Sequence, residues 1–156
     1  MSEEKNRGPF DTIYGEATLQ QLLARAIKTE IESAETYRAL LDKELPEETR
    51  QKIKKLVAQE EEHEDNFSSV FEDFFPEDEI PLPERSDIEV MSEIPQNATP
   101  EQLIEKAFEI ERESEKFYND LIGEFEDREI KRLMGYLAAN EREHYEILKE
   151  ELTKLE

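Results

Sequence analysis

LVAQEEEH at residues 56–63 and LAANEREH at residues 137–144 are one segment written twice, 81 positions apart. Each ends in Glu-x-x-His, Glu60 with His63 and Glu141 with His144, and these are the only two histidines in the chain. Working outward, the same offset carries Thr18 onto Thr99, Gln21 onto Gln102, Leu22 onto Leu103 and Ala26 onto Ala107. It also carries Glu30 onto Glu111, Ser33 onto Ser114 and Tyr37 onto Tyr118, with no insertion between the two halves. A helix–loop–helix unit present in two copies, each burying its apolar stripe against the other, is the simplest account.

Hydrophobic periodicity predicts an all-α chain of four amphipathic helices, at about 18–43, 46–75, 99–122 and 127–155. Thr18 with Gln21 and Thr99 with Gln102 read as capping boxes, Pro100 suits the first helical position, and Pro46 before Glu47 and Glu48 reads as a helix start. The chain divides into an N-terminal arm, 1–17, and a bundle, 18–156, made of a hairpin at 18–75, a crossover at 76–98 and a hairpin at 99–155. The arm's Phe10, Ile13 and Tyr14 suggest that it packs on the bundle or on a partner subunit. Pro76, Pro81, Pro83 and Pro95 exclude a continuous helix through the crossover, while Ile80, Leu82, Ile88, Val90, Met91 and Ile94 suit a segment lying along the bundle. Its length reaches roughly 75 Å when extended, against roughly 42 Å for the longest helix, so it is able to return the chain to the opposite end. Gly135, inside the fourth helix, reads as a place of close packing against a neighbour or subunit.

Composition narrows function. The net charge is -22, with 40% of residues charged, which argues against nucleic acid and anionic membranes as partners because both are polyanions. There is no cysteine, which excludes disulfides, thiolate zinc sites, iron–sulfur clusters and a cysteine nucleophile. The N-terminus has no apolar signal core and no run approaches a membrane span, so a soluble cytoplasmic protein is the expectation.

The decisive polar residues interrupt apolar stripes. Glu30 fills the gap between Ile27 and Ala34, Glu60 and His63 lie between Val57 and Phe67, Glu111 between Phe108 and Tyr118, and Glu141 and His144 between Ala138 and Leu148. All six therefore face the core. Glu30 and Glu60 are equidistant from the turn near position 45, and Glu111 and Glu141 from position 126, so each hairpin brings its members to one level. Four carboxylates in one dry core repel, each unpaired ion costing several kcal/mol, and two divalent cations neutralise them in full. Oxygen and nitrogen donors without thiolate suit iron or manganese. Glu60 and Glu141 are placed to bridge two metals. Glu30 with Glu111, and His63 with His144, are placed to serve one metal each. Tyr37 and Tyr118, two turns beyond Glu30 and Glu111, are placed to donate hydrogen bonds to ligand carboxylates; the bland reading makes them core filler.

These residues resemble the ferritin-like superfamily, most closely its rubrerythrin-type proteins, over roughly 18–155. The resemblance implies a ferritin-like four-helix bundle with a long crossover between helices 2 and 3, and two iron ions joined by an oxo or hydroxo bridge. Manganese or a mixed-metal pair is the variant. It implies a non-haem diiron oxidoreductase that oxidises Fe(II) while reducing hydrogen peroxide or oxygen, for oxidative-stress protection and iron handling. Catalysis would run through the metals on Glu30, Glu60, His63, Glu111, Glu141 and His144. Two departures stand out: no cysteine-bearing rubredoxin domain follows the fourth helix, and Ser114 (with its repeat mate Ser33) stands where rubrerythrins carry a further glutamate. A separate electron-donor protein, or a shorter functional cycle, is therefore the expectation, and the duplicated hairpin, which could pair with its twin from a partner, makes a homo-oligomer, at least a dimer, the expected assembly.

Two rival readings use the same residues. One is an iron-storage protein with a ferroxidase site in a closed cage; the other is a metal-free structural bundle. A single Glu-x-x-His carries little weight, because with 42 acidic residues in 156 about one histidine in four meets one at a given spacing. Two in phase, each facing a glutamate on the preceding helix, carry far more. Glu32, Glu35, Glu61, Glu62, Glu64, Glu113 and Glu115 point away from the stripes and read as solvated surface.

Overall fold

The computed structural model describes residues 18–83 and 97–156. Four helices account for most of them: α1 Leu19–Leu41, α2 Glu47–Phe74, α3 Pro100–Ile122 and α4 Arg128–Leu155. There is no strand among the described residues. The N-terminal arm and residues 84–96 of the crossover lie outside them.

Local chemistry sets the boundaries. Both capping boxes form: Gln21 N–H donates to Thr18 Oγ1 at 3.2 Å and Thr18 N–H to Gln21 Oε1 at 3.0 Å, with 3.1 and 2.9 Å for Thr99 and Gln102. Pro46 is the N-cap of α2 and offers no side-chain cap, so Glu47 and Glu48 in the first turn answer the helix dipole. Asp127 caps α4 by accepting from Glu129 and Ile130 N–H. The two interhelical turns are clamped alike. Arg50 Nη1 donates to Leu41 O at 2.6 Å and Nη2 to Lys43 O at 2.7 Å, and Lys131, its mate in the repeat, donates to Ile122 O at 3.0 Å. Each clamp puts a cation on the C-terminal carbonyls of the preceding helix.

The hairpins α1–α2 and α3–α4 are the most extensive pairings, and α1 packs on α3 across them. The apolar core has two halves. At one end Leu19, Leu22 and Leu23 of α1 meet Phe67 and Phe71 of α2, Tyr118 and Leu121 of α3, and Met134 and Leu137 of α4. At the other, Tyr37 and Leu40 meet Ile53 and Leu56, Leu103 and Ile104, and Leu148. This order makes α1 parallel to α4 and antiparallel to α2 and α3. The chain leaves α2 beside Phe75 and Ile80 at the first end and re-enters at Ala98 at the second, so the described residues on either side of the crossover lie at opposite ends of the bundle.

Leu40, not Leu41, is the fully buried residue at the end of α1, because a 3.6-residue period drifts over its length. Phe74 is 41% exposed, since α2 runs past the last layer of the bundle there. Gly135 is not required by packing within the chain: a Cβ there would meet Ile122 Cδ1 at an ordinary 3.8 Å.

Candidate metal centre

Between the two apolar halves lies one polar layer. Glu30, Glu60, Glu111 and Glu141 are each at most 1% exposed, and His63 and His144 at most 3%, so none of the six is solvated. The structure brings together every residue that the repeat singled out. One oxygen or nitrogen from each of Glu30, Glu60, His63 and Glu141 falls in a cluster with all separations within 4.8 Å, and Glu60, Glu111, Glu141 and His144 form a second such cluster. Glu60 and Glu141 belong to both. Sharing these two is the arrangement expected of bridging carboxylates, with Glu30 and Glu111 at the outer positions.

The distances obey a pseudo-twofold axis. His63 Nδ1 lies 2.8 Å from Glu141 Oε1, 3.5 Å from Glu30 Oε1 and 4.0 Å from Glu60 Oε2. His144 Nδ1 lies 2.6 Å from Glu60 Oε1, 3.4 Å from Glu111 Oε1 and 4.0 Å from Glu141 Oε2. The imidazoles stack at 5.7 Å between centroids and 11° between planes. Each histidine thus faces most closely the shared glutamate of the other hairpin.

The tyrosines cross over too. Tyr37 donates its hydroxyl to Glu111 Oε1, and Tyr118 donates to Glu30 Oε1. Each holds the outer carboxylate of the opposite hairpin, so the two halves are strapped together at the site as well as packed. Burial pushes both phenols well above their ordinary pKa, and the surrounding carboxylates push further, so both remain protonated donors.

The electrostatics are those of four carboxylates buried together. Burial drives the Glu60 carboxyl well up, aided by Glu111, Glu141 and Glu30; burial, then Glu111 and Glu30, does the same to Glu141. Burial would also raise Glu111, but His144 beside it and the hydrogen bonds it accepts bring it below the usual range. For His144 burial acts downward, and Glu111 outweighs it, leaving the imidazole raised. Like charges in one dry cavity cannot all ionise without a cation.

Whether the residues fit a metal is answered by their loose ends. Glu30 Oε2, both oxygens of Glu60, Glu111 Oε2, Glu141 Oε2 and His144 Nδ1 are buried without a hydrogen-bond partner. Buried polar atoms in a native core are almost always paired, so partnerless lone pairs at one centre mark coordination positions. Carboxylate and imidazole donors suit a borderline-hard divalent ion.

Three features escaped sequence reading. Gln59 Oε1 lies 2.7 Å from His144 Nε2, across the bundle from α2 to α4. The burial of Ser33 and Ser114, whose hydroxyls have no hydrogen-bond partner one turn beyond Glu30 and Glu111, was not readable from the repeat. Glu151 is buried near the end of α4 against Thr49 (2.7 Å), Lys52 (2.9 Å) and Lys154 (3.1 Å), and its role is structural. Most of the acidic residues read as solvated are exposed; Glu32, Glu64 and Glu115 are half-buried at the edges of the packed faces.

Comparison with known proteins agrees with this geometry. The Rubrerythrin family pattern matches residues 21–152. A hypothetical protein from Pyrococcus furiosus of known structure superposes with a TM-score of 0.79 at 32% identity, over 89% of this chain and 92% of that one. An uncharacterized conserved protein from Magnetospirillum magnetotacticum gives 0.62 at 26% identity, over 88% and 95%. An uncharacterized protein from Archaeoglobus fulgidus is 39% identical over 54 residues, which cover 35% of this chain and 84% of that protein. No described helix is long and apolar enough to cross a membrane.

Proposed function

Because this chain belongs to the rubrerythrin family, we propose that its buried centre holds two iron ions and that the protein is an oxidoreductase, reducing hydrogen peroxide or oxygen at the expense of Fe(II). The observation that carries this reading is the pair of overlapping clusters that share Glu60 and Glu141. The irons supply two electrons, enough to take hydrogen peroxide and two protons to two waters.

The chain's own residues do the rest. Glu30 with His63 would hold one cation and Glu111 with His144 the other, and Glu60 and Glu141, which belong to both clusters, would serve both. Four carboxylates balance two divalent charges, which removes the repulsion that otherwise keeps protons on Glu60 and Glu141. Tyr37 and Tyr118 hold Glu111 and Glu30 by one oxygen each, leaving the other oxygen of each carboxylate free. Leu56 and Phe67, on either side of the Glu60–His63 turn, are buried and close the layer to bulk water. These 156 residues contain no cysteine with which to build a rubredoxin-type iron site, so electrons for further turnover would have to come from outside them.

The test is anaerobic Fe(II) loading, followed by one equivalent of hydrogen peroxide per site and, in parallel, oxygen. Two irons per chain and a ferric charge-transfer band in the near ultraviolet are expected, with the faster oxidant identified as the substrate. Uptake of many irons per chain would indicate storage instead. No stoichiometric uptake would leave the structural bundle.

A further inference from the structure

The pseudo-twofold symmetry of the centre breaks at one place. His144 turns Nε2 toward Gln59 Oε1 at 2.7 Å, and the amide oxygen can only accept, so the ring proton sits on Nε2. Nδ1 is then a bare lone pair. That atom lies 2.6 Å from Glu60 Oε1, much as His63 Nδ1 lies 2.8 Å from Glu141 Oε1, so the inner contacts of the two histidines are alike and the difference lies at the outer nitrogen. The repeat mate of Gln59 is Asn140, one methylene shorter, and its amide donates to Tyr136 O within its own helix at 2.8 Å. One half of the centre therefore has a carboxamide holding the outer nitrogen of its histidine, and the matching residue of the other half is turned back onto its own helix.

We propose that Gln59 is a positioning residue for His144 and makes the two cation positions unequal. The position built from Glu111, His144, Glu60 and Glu141 fills first with a divalent transition metal. The position at Glu30 and His63 fills second. This rests on the two-metal reading above and adds an order of filling to it. The physical cause is the carboxamide grip on the outer ring nitrogen, which fixes tautomer and ring orientation before the metal arrives; groups in this place are typically worth about 10–100-fold in affinity.

Cobalt(II) is the probe, titrated anaerobically and followed by its visible absorption. The unmodified protein should take two ions in separable steps. Gln59→Leu should weaken the tighter step about 10–100-fold and leave the weaker one in place. Gln59→Glu, which keeps an acceptor oxygen, should restore the tighter step, and Asn140→Leu should leave both steps unchanged. Thermal unfolding of the metal-free variants controls for loss of fold. A measurement on the unmodified protein needs no variant: in the zinc(II)-loaded form, nitrogen NMR of the two histidines should show the His144 Nε2–H protected from exchange and that of His63 less protected. Equal protection, wild-type cobalt binding by Gln59→Leu, or an equal loss in Asn140→Leu would overturn the order of filling while leaving the two-metal centre intact. No cobalt uptake by the unmodified protein would sink both.

Discussion

Replacing Glu60 and Glu141 together by glutamine should make the metal-free protein more stable while abolishing cation binding. The two side chains keep their shape and lose their charge. Both are fully buried, and three of their four oxygens have no hydrogen-bond partner. A buried unsatisfied polar group costs about 1–3 kcal/mol, and more when charged, so relieving two should return about 2–6 kcal/mol. For a chain of this size each kcal/mol moves the midpoint by about 2–4 °C, giving a rise of roughly 5–20 °C. The new amide protons also have acceptors waiting in Glu30 Oε2 and Glu111 Oε2. The pH dependence has a definite sign. Both carboxyls are raised in the folded state, so their contribution to stability is complete below the ordinary glutamate range and is lost as pH rises through the folded values. The advantage of the double variant should therefore grow from about pH 5 to about pH 7.5. The assay is thermal unfolding by far-ultraviolet circular dichroism after exhaustive chelation, paired with cobalt(II) titration. A metal-free variant clearly less stable than the parent at about pH 7.5 would refute the reasoning, because the carboxylates would then be holding the core together as a polar network.

Other outcomes follow from the same geometry. Cation affinity should increase with pH, because binding must displace the protons that burial keeps on Glu60 and Glu141; calorimetry in buffers of different ionisation enthalpy counts the protons released, and a count of zero would contradict the account. Tyr37→Phe and Tyr118→Phe should each cost about 1.5–3 kcal/mol, the range for a hydrogen bond to a charged group, and by the pseudo-twofold axis their urea midpoints should fall by similar amounts; two unchanged midpoints would mean the straps carry no load. Gly135→Ala should stabilise the chain by about 0.5–1 kcal/mol, since a helix-interior glycine is replaced where a Cβ meets only Ile122 Cδ1 at 3.8 Å. A lower midpoint would place a neighbouring subunit against that face.

The helical period explains what the sequence disclosed. Polar residues that interrupt an apolar stripe must enter the core, and two hairpins with equal arms must bring those residues to one level. That reasoning located Glu30, Glu60, His63, Glu111, Glu141 and His144 together, and the capping boxes at Thr18 and Thr99 came from chemistry within four residues. What stayed hidden depends on how helices are rotated against each other. The tyrosines were readable as donors, but their acceptors are on the opposite hairpin, a fact set by the α1–α3 crossing. Gln59 is one residue from Glu60 and looked like any half-exposed glutamine until α4 placed His144 beside it. Glu151 could not be distinguished among 42 acidic residues, because only the approach of Thr49 and Lys52 from α2 gives it a buried place.

The central claim is that two metal ions sit side by side in the polar layer. Anomalous diffraction at the iron edge, from crystals grown anaerobically with Fe(II), tests it most directly. Two peaks about 3.5–4 Å apart, the usual spacing of paired metals, are predicted, one beside Glu30 and His63 and the other beside Glu111 and His144, with Glu60 and Glu141 between them. A map with no peak inside the bundle, or with iron only on the acidic surface, would contradict it.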